Sequence, residues 1–362
     1  MFTEKHFPQS LTGDELDLFL EAGWYRMGQS IFTCHFIFFE ENLYSAIWIR
    51  LPLEGYTFRK SARKLMRKVE NRFQVVVRPA VIDEQKELLF QHFKLFFKGN
   101  LYGTLHELMF DHKSYNIFDT WEVAVYDADR LAGFSFFDLG HHALASIKAV
   151  YHNDYRQYSL GIYTMLREIQ FGWEQGFNYY YPGYVVPGFQ RFDYKLRIGS
   201  PDQVQFFEIR ENVWKPWSTF DPEQVPARVL DLELFKMGFH LSLHRIGFQL
   251  VYYPAFESNL FGTEKRHFLQ SPIFLHLFSD RYLHPRFAIS YDLRAEEFVF
   301  SHSIPPTLLR GILDRYDTLA NPHLPILHQL LADVVILRHW DAQAIVQRVL
   351  QINDLLKHFP QL

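Results

Sequence analysis

The sequence predicts an α/β (α+β) fold: a mixed central sheet flanked by helices, with a small N-terminal α+β module and a C-terminal extension ending in helices. The strongest support is in residues 144–195, where an apolar strand (144–151), a polar loop, a helix and a second strand (177–184) follow one another. Strands joined through a helix are typically parallel neighbours. Strands at 121–126 and 131–139 flank a polar turn, which predicts an adjoining hairpin.

Three segments are predicted along the chain: an N-terminal module (1–78), a central α/β domain (79–205) and a C-terminal extension of unknown role (206–362). In the module, Thr12 caps a short helix, two strands follow, and an amphipathic helix comes next at 58–73.

The central domain opens with helices at 81–98 and 101–109, which precede the hairpin and the strand–helix–strand unit. The extension begins with a linker rich in proline, tryptophan and charge. Its predicted elements are a linker at 213–227, strands at 248–253 and 273–278, and helices at 305–319, 324–336 and 341–359.

Composition limits the classes of function. A chain of 362 residues is long enough for two or three domains. Cys34 is the single cysteine, which rules out an intrachain disulfide and favours a reducing, cytoplasmic location. No apolar run reaches the length of a membrane span, so no membrane partner is expected. With a formal net charge of −4, any contact with nucleic acid must use a local basic patch.

Residues 58–73 provide such a patch. Apolar residues recur there at helical spacing, and the basic residues fall four apart on the remaining faces. The basic residues proposed to bind tRNA are Arg59, Lys60, Arg63, Lys64, Arg67 and Lys68. Like charges at this spacing repel one another, and a polyanion would relieve that repulsion. The alternative is a solvated helix face.

Several local motifs carry a family resemblance. Ser159-Leu160-Gly161 precedes a helix that contains Arg167-Glu168-Ile169, and the sequences YYPGY (180–184) and FDYK (192–195) follow. This pattern resembles the C-terminal domain of the arginyl- and leucyl-tRNA–protein transferases, whose fold is similar to that of GNAT acyltransferases. The resemblance covers about residues 13–203.

The resemblance implies transfer of arginine or leucine from aminoacyl-tRNA to the N-terminal amine of a protein or peptide. Because the aminoacyl ester is already activated, it implies neither a metal nor a cofactor. It assigns catalysis to Asp138, Tyr184 and Lys195. The residues assigned to substrate binding are Ser159, Leu160, Gly161, Arg191 and Tyr194.

Some of these residues also have structural interpretations. Ser159 is a good helix N-cap, and Asp138 would serve equally well as a turn acid. Glu168 is expected to be a buried partner of Arg191 or Lys195.

The sequence also departs from the family. Cys34 stands alone where the family has a cysteine cluster, and one thiolate with the neighbouring His35 cannot complete a four-ligand metal site. Lys148 stands where the family tends to have tyrosine. Two other functions therefore remain: a GNAT N-acetyltransferase that uses an acyl-CoA, and a non-catalytic relative that binds tRNA or peptide. The donor amino acid, the acceptor and the oligomeric state remain open.

Overall fold

The computed structural model describes residues 3–39, 41–97, 101–260, 268–277, 287–304, 326–327 and 330–358. Its first eight elements are β1 (Thr3–His6), α1 (Gly13–Glu21), β2 (Tyr25–Arg26), β3 (Ile31–Cys34), β4 (Phe36–Phe39), β5 (Asn42–Ser45), β6 (Ile47–Pro52) and α2 (Lys60–Glu70). The predicted cap of α1 is confirmed: Thr12 accepts from the Glu15 amide, and the Glu15 side chain accepts from the Thr12 amide.

The central elements follow the predicted order. They are β7 (Gln74–Pro79), α3 (Glu84–Lys94), α4 (Leu105–Phe110), β8 (Asp119–Asp127), β9 (Arg130–Leu139), β10 (Ala143–Tyr151), α5 (Leu160–Glu174) and β11 (Tyr179–Val185). The hairpin is confirmed, because β8 and β9 pair in antiparallel register as far as Asp127 and Arg130.

The C-terminal elements are β12 (Gln205–Glu208), β13 (Val213–Pro216), α6 (Pro226–Leu243), β14 (Phe248–Tyr252), β15 (Ile273–Leu277), β16 (Phe287–Asp292), β17 (Glu297–Ile304), β18 (Ala332–His339) and α7 (Ala342–His358).

A mixed sheet of eight strands forms the centre of the molecule, in the order β13-β12-β6-β11-β10-β9-β8-β7. Strands β10 and β11 run parallel, and the other neighbours in this sheet are antiparallel. Helices α2 and α5 pack on one face and helices α3 and α4 on the other, each over its own apolar core. The predicted fold class, a mixed central sheet flanked by helices, is confirmed.

This sheet takes strands from outside the predicted central domain. Strand β6 comes from the N-terminal module, and β13 lies within the stretch predicted as a linker. The linker prediction is therefore wrong over Val213–Pro216, which pairs with β12 and extends the sheet. The division at 78 and 205 remains a prediction about domains, but the sheet itself is continuous across both positions.

The C-terminal extension is built on a second, antiparallel sheet of five strands, β14-β15-β16-β17-β18, packed against α6 and α7. The final helix is confirmed as α7. The prediction of a helix at 324–336 is wrong from Ala332 onwards, because these residues belong to β18. The run of valine and isoleucine in β18 pairs with β17. The predicted helix at 305–319 lies outside the described residues.

Cys34 and Phe36 join the apolar core of this extension, beside Tyr253 and Phe256. The N-terminal module is thus tied to the C-terminal sheet by apolar packing at the position of its single cysteine. In the described part of the chain, no helix is long and apolar enough to cross a membrane.

Candidate active site

The central sheet opens between its two parallel strands. Strands β10 and β11 pair only from Ala143 to Ala145 and from Tyr179 to Tyr181, although both continue beyond this ladder. Both are also irregular at that level: the register of β10 against β9 shifts between Ser146 and Lys148, and the register of β11 against β6 shifts after Tyr180. We call the opening between residues 146–151 and 182–185 the strand gap.

Two lysines approach this gap from its two sides. The Lys148 ammonium, on β10, lies 5.4 Å from the centre of the Phe93 ring and 4.5 Å from that of Phe97. The Lys195 ammonium donates to the Tyr184 carbonyl at 2.8 Å, on the β11 side. Among the described residues, neither lysine forms an ion pair with a carboxylate.

Burial lowers the pKa of both ammonium groups below that of an exposed lysine, so both lose their proton more readily. Desolvation lowers the pKa of Lys148 to about 8. Desolvation, together with the nearby charge of Lys148, lowers the pKa of Lys195 to about 7. Near neutral pH, Lys195 is therefore partly unprotonated while Lys148 remains mostly charged.

Glu168 lies behind the gap, fully buried on α5. It accepts hydrogen bonds from the hydroxyls of Ser135 and Tyr180, the latter at 2.7 Å. Burial raises its pKa to about 7, opposed by these hydrogen bonds. The expectation that Glu168 pairs with Arg191 or Lys195 is wrong: its partners are hydroxyls of β9 and β11, so it ties α5 to the strands on either side of β10.

The Ser159–Gly161 turn leads into α5 beside the gap. Ser159 has a left-handed backbone with φ of 50°, and its side chain does not cap the helix, so the capping interpretation is wrong. Leu160 is buried. A Cβ on Gly161 would lie 3.2 Å from Cε1 of Tyr151, so glycine allows the helix to approach β10 closely. The amides of Leu160 and Gly161, in the first turn, have no acceptor within the helix.

Two tyrosines line the FDYK end of the site. Tyr184 stacks on Phe192 with ring centres 5.4 Å apart, and burial raises its pKa well above the usual range. Burial raises the pKa of Tyr194 to about 12, with Tyr151 and Glu168 close enough to add to the shift. Arg191 lies over the Phe189 ring at 5.5 Å and is exposed. The structure brings Tyr184, Tyr194 and Lys195 together at the gap and places Arg191 outside it.

Asp138 is separate from these groups. It is 1% exposed, and its Oδ1 accepts from Arg26 at 2.8 Å and from the Thr120 hydroxyl at 2.7 Å. Arg26 also donates to the Met109 carbonyl. Burial raises the pKa of Asp138, and the Arg26 charge opposes that shift. The carboxylate assigned to catalysis thus joins β9 to the N-terminal module, and the structure does not place it with Lys195.

Replacing Asp138 with asparagine tests these two roles. Loss of the charge-assisted bonds to Arg26 should destabilise the protein by roughly 1–3 kcal/mol in urea unfolding. Activity per folded molecule should remain within a few-fold of the wild type. A loss of activity much larger than the loss of folded protein would support a catalytic role for Asp138.

The basic helix α2 lies next to the same turn. Its apolar face, with Ala62, Met66 and Val69, is buried. Lys68 donates to the Gln157 carbonyl at 2.8 Å and lies over the Tyr158 ring, directly before Ser159. The six residues proposed to bind tRNA, Arg59, Lys60, Arg63, Lys64, Arg67 and Lys68, are all exposed. The structure therefore places the basic face alongside the loop that leads into the strand gap.

Residue Cys34 is not an activated thiol. It is buried, its Sγ contacts the Phe36 carbonyl, and burial raises its pKa to about 12. Among the residues that the structure describes, no group of three or more histidines, cysteines or carboxylates is arranged to hold a metal ion.

The sequence identifies Lys148 as a departure from the family beside the expected acceptor groove, but it does not assign this lysine a role in the site. The available signal was its position: it is the one charged residue in the strand Ala143–Tyr151. Tyr151 was also missed as the side chain that contacts Gly161.

Comparisons with known proteins agree with the motifs at this site. A family model described as the C terminus of arginine-tRNA-protein transferase matches residues 68–204. An aspartate/glutamate leucyltransferase from Helicobacter hepaticus is 25% identical over 213 residues, covering 54% of this chain and 78% of that protein. One from Leptospira interrogans (serovar copenhageni) is 23% identical over 212 residues, covering 58% and 80%.

Among solved structures, a GCN5-related N-acetyltransferase from Anabaena variabilis aligns with a TM-score of 0.30 and 10% identity, over 57% of this chain and 43% of that one. The family resemblance rests on the sequence matches and on the motifs at residues 159–161, 180–184 and 192–195. Through residues 68–204, the chain is similar to the arginyl- and leucyl-tRNA–protein transferases, a family of aminoacyltransferases.

Proposed function

We propose that this protein transfers leucine from leucyl-tRNA to the N-terminal amine of a protein or peptide. The observation that carries the choice of donor is the pair of lysines at the strand gap, Lys148 and Lys195. A guanidinium group entering the gap would meet the charged Lys148 and a second lysine, neither with a carboxylate partner among the described residues, whereas an apolar leucine side chain meets aromatic rings. The relatives from Helicobacter and Leptospira are named leucyltransferases, which supports the same choice.

The tRNA would approach along α2. Its basic face supplies phosphate contacts, and the bond from Lys68 to Gln157 connects that face to the turn at Ser159. A tRNA held on this face can present its aminoacylated 3′ end to the first turn of α5 and to the strand gap.

The protein must position the reactants, stabilise the oxyanion and accept a proton. It must hold the acceptor nitrogen about 3–3.5 Å from the ester carbonyl carbon. The amides of Leu160 and Gly161 stabilise the oxyanion that forms on the carbonyl oxygen. Lys195 in its neutral form accepts the proton of the acceptor amine, because its pKa of about 7 lies near the working pH.

The bonds and protons balance without a cofactor. The amine nitrogen forms a bond to the ester carbonyl carbon, and the bond from that carbon to the ribose oxygen of the tRNA breaks. The proton taken by Lys195 passes to the leaving ribose oxygen. Tyr184 holds Lys195 through its carbonyl, and its buried hydroxyl, with a strongly raised pKa, is a poor proton carrier at neutral pH.

A transfer assay tests this proposal. Purified protein is supplied with leucyl-tRNA, arginyl-tRNA or acetyl-CoA and a peptide with a free N-terminus, and the product is identified by mass. We expect a mass increase of one leucine with leucyl-tRNA alone. Arginine addition would overturn the choice of donor, acetylation would favour the acyl-CoA alternative, and tRNA binding without any product would favour the non-catalytic relative.

The basic helix provides a second test. Replacing Arg63, Lys64 and Arg67 with glutamine should weaken tRNA binding and reduce the slope of log affinity against log salt by roughly two to three, because each lost phosphate contact removes a released counterion. Fluorescence titration at several salt concentrations measures both quantities.

The chain offers a charge-matched control outside α2. Arg228, Lys236 and Arg245 are exposed on or just after α6, and their replacement with glutamine should leave the affinity and the slope unchanged. If the two triple variants change tRNA affinity and its salt slope equally, α2 contributes only through the net charge of the protein.

A further inference from the structure

We propose that the exposed face of α6 is the interface of a symmetric homodimer, in which two copies of this helix pack against each other in antiparallel orientation. The face is formed by Leu232, Phe235, Phe239 and Leu243, which we call the α6 stripe. The proposal concerns the C-terminal extension and does not depend on the transfer reaction.

Helix α6 is apolar on two opposite faces. Its inner face belongs to the core of the second sheet and consists of the buried residues Leu230, Leu234, Met237 and Leu241. The α6 stripe recurs at spacings of three, four and four residues, which places its side chains on the side of the helix that points away from this core. A surface helix ordinarily has one apolar and one polar face, and a helix that is apolar all round is normally covered on both sides.

The α6 stripe is large enough to form the centre of an interface. Its exposed fractions run from 53% for Leu232 to 76% for Phe235, so four large apolar side chains lie exposed along one line. They present roughly 500 Å² of apolar surface, a size at which a patch on a monomer often has a function. A standard interface buries about 800 Å² per partner and has a polar rim, so the stripe and the polar residues beside it supply the area of a stable dimer.

The order of the side chains fits a second copy of the same helix. In either direction along α6, the stripe is leucine, phenylalanine, phenylalanine, leucine. In an antiparallel pair related by a two-fold axis, Phe235 of one copy therefore meets Phe239 of the other, and Leu232 meets Leu243. A two-fold interface uses the same patch on both subunits, so it requires a patch that is complementary to itself.

Charge favours the antiparallel orientation over the parallel one. Asp231 lies in the N-terminal half of α6, and Arg245 lies just after its C-terminal end. The basic Arg228, near the N-terminus, pairs with Glu223. An antiparallel pair brings the acidic part of each helix towards the basic end of the other and opposes the two helix dipoles, whereas a parallel pair aligns like charges.

Sedimentation equilibrium with the full chain tests the proposal. We expect a mass near twice the 43.3 kDa of one chain at micromolar concentration, falling towards one chain on dilution. Phe235→Glu should raise the dissociation constant of the dimer by at least about 100-fold, because it buries a charge against an aromatic ring. A wild type that stays monomeric even at high micromolar concentration would overturn the proposal. If Phe235→Glu does not fold, Phe235→Ser carries the same comparison.

A mixture of two variants tests the orientation. Phe235→Glu and Phe239→Lys should each be monomeric alone. Mixed in equal amounts, they should form a mixed dimer, because the new carboxylate then meets the new ammonium at one contact and two phenylalanines meet at the other. If both variants are folded by circular dichroism and the mixture stays monomeric, the antiparallel pairing is wrong.

Trp340→Glu is the matched control. Trp340 is 73% exposed in the same extension, but it lies between β18 and α7 and outside the α6 stripe. This variant should leave the dissociation constant of the dimer within about threefold of the wild type, as expected for a surface change away from an interface. Equal weakening of the dimer by Trp340→Glu and Phe235→Glu would mean that added charge, and not α6, controls association, and the proposal would fail.

Discussion

Replacing Lys195 with methionine is expected to lower kcat/KM for aminoacyl transfer by about 10²–10⁴-fold, the usual contribution of a positioned proton acceptor. The same change should raise the free energy of unfolding at neutral pH by roughly 0.5–2 kcal/mol, because methionine removes a poorly solvated ammonium beside Lys148. Steady-state kinetics and urea unfolding measure the two effects. A gain in stability combined with a loss of activity distinguishes a site residue from a structural one.

The dependence of stability on pH has a defined sign. The pKa of Lys195 is about 7 in the folded protein, against an ordinary value of 10.5 for lysine. Between these values the unfolded chain binds more protons than the folded one, so the Lys195 contribution makes stability rise as the pH increases through this window. Lys195→Met should lack this part of the rise, and an unchanged slope would mean that Lys195 is not buried as described.

The dependence of activity on pH isolates the same group. With a peptide acceptor, kcat/KM for the wild type should rise through pH about 7 as Lys195 loses its proton. The acceptor amine itself titrates near pH 7.7–8.0, roughly, and only that step should remain in Lys195→Met. Lys94→Met is the control and should leave the profile unchanged, because the Lys94 ammonium bonds to the Gly103 carbonyl at the surface. Full activity in Lys195→Met would mean that solvent, and not Lys195, accepts the proton of the acceptor amine.

The central unit could be predicted because its signals are local. Helix α5 and its flanking strands follow the periodicity of residues 144–184, and the α1 cap follows from Thr12 and Glu15 three positions apart. The position of α2 against the loop before Ser159 was not predicted. It depends on a contact between Lys68 and Gln157, which are far apart in sequence.

Strand order could not be predicted for the same reason. Strand β6 pairs with β11, more than a hundred residues later, and β13, within the predicted linker, joins the same sheet. Neither pairing leaves a periodic trace in sequence. The run of valine and isoleucine in β18 fits the apolar face of a helix as well as a strand, and only its pairing with β17 decides between them.

The candidate site was predicted in part. The motifs brought Tyr184, Tyr194 and Lys195 to one place, but Asp138 pairs with Arg26 and Thr120 instead of joining them. A carboxylate near the end of a strand has the same sequence signal whether it faces a substrate or an arginine such as Arg26, and here the partner comes from the N-terminal module. Glu168 was expected to pair with a cation because hydroxyl partners on neighbouring strands cannot be identified from spacing.

Replacing Gly161 with valine is expected to reduce aminoacyl transfer by at least about 10²-fold, the usual cost of disturbing an oxyanion donor, while tRNA affinity stays within a few-fold. A Cβ at this position already meets Tyr151 at 3.2 Å, so the branched side chain must push the tyrosine ring or the first turn of α5 away. Either movement displaces the amides of Leu160 and Gly161 from the carbonyl oxygen that they stabilise. The phosphate contacts of α2 do not depend on the packing between residue 161 and Tyr151, so they should be retained.

Two milder variants determine whether the loss arises from this contact. Gly161→Ala adds only the Cβ, and a shift of the Tyr151 ring by a few tenths of an ångström relieves it, so most activity should survive in a protein of similar or greater stability. Ser159→Gly removes a side chain that makes no capping bond and suits the left-handed φ of 50°, so it should retain activity and fold at least as well as the wild type. If Gly161→Val remains fully active, the turn is only scaffold, and the oxyanion must be stabilised by other groups at the strand gap. If all three variants lose activity in proportion to their stability, the effect comes from folding and the assignment to the Leu160 and Gly161 amides is wrong.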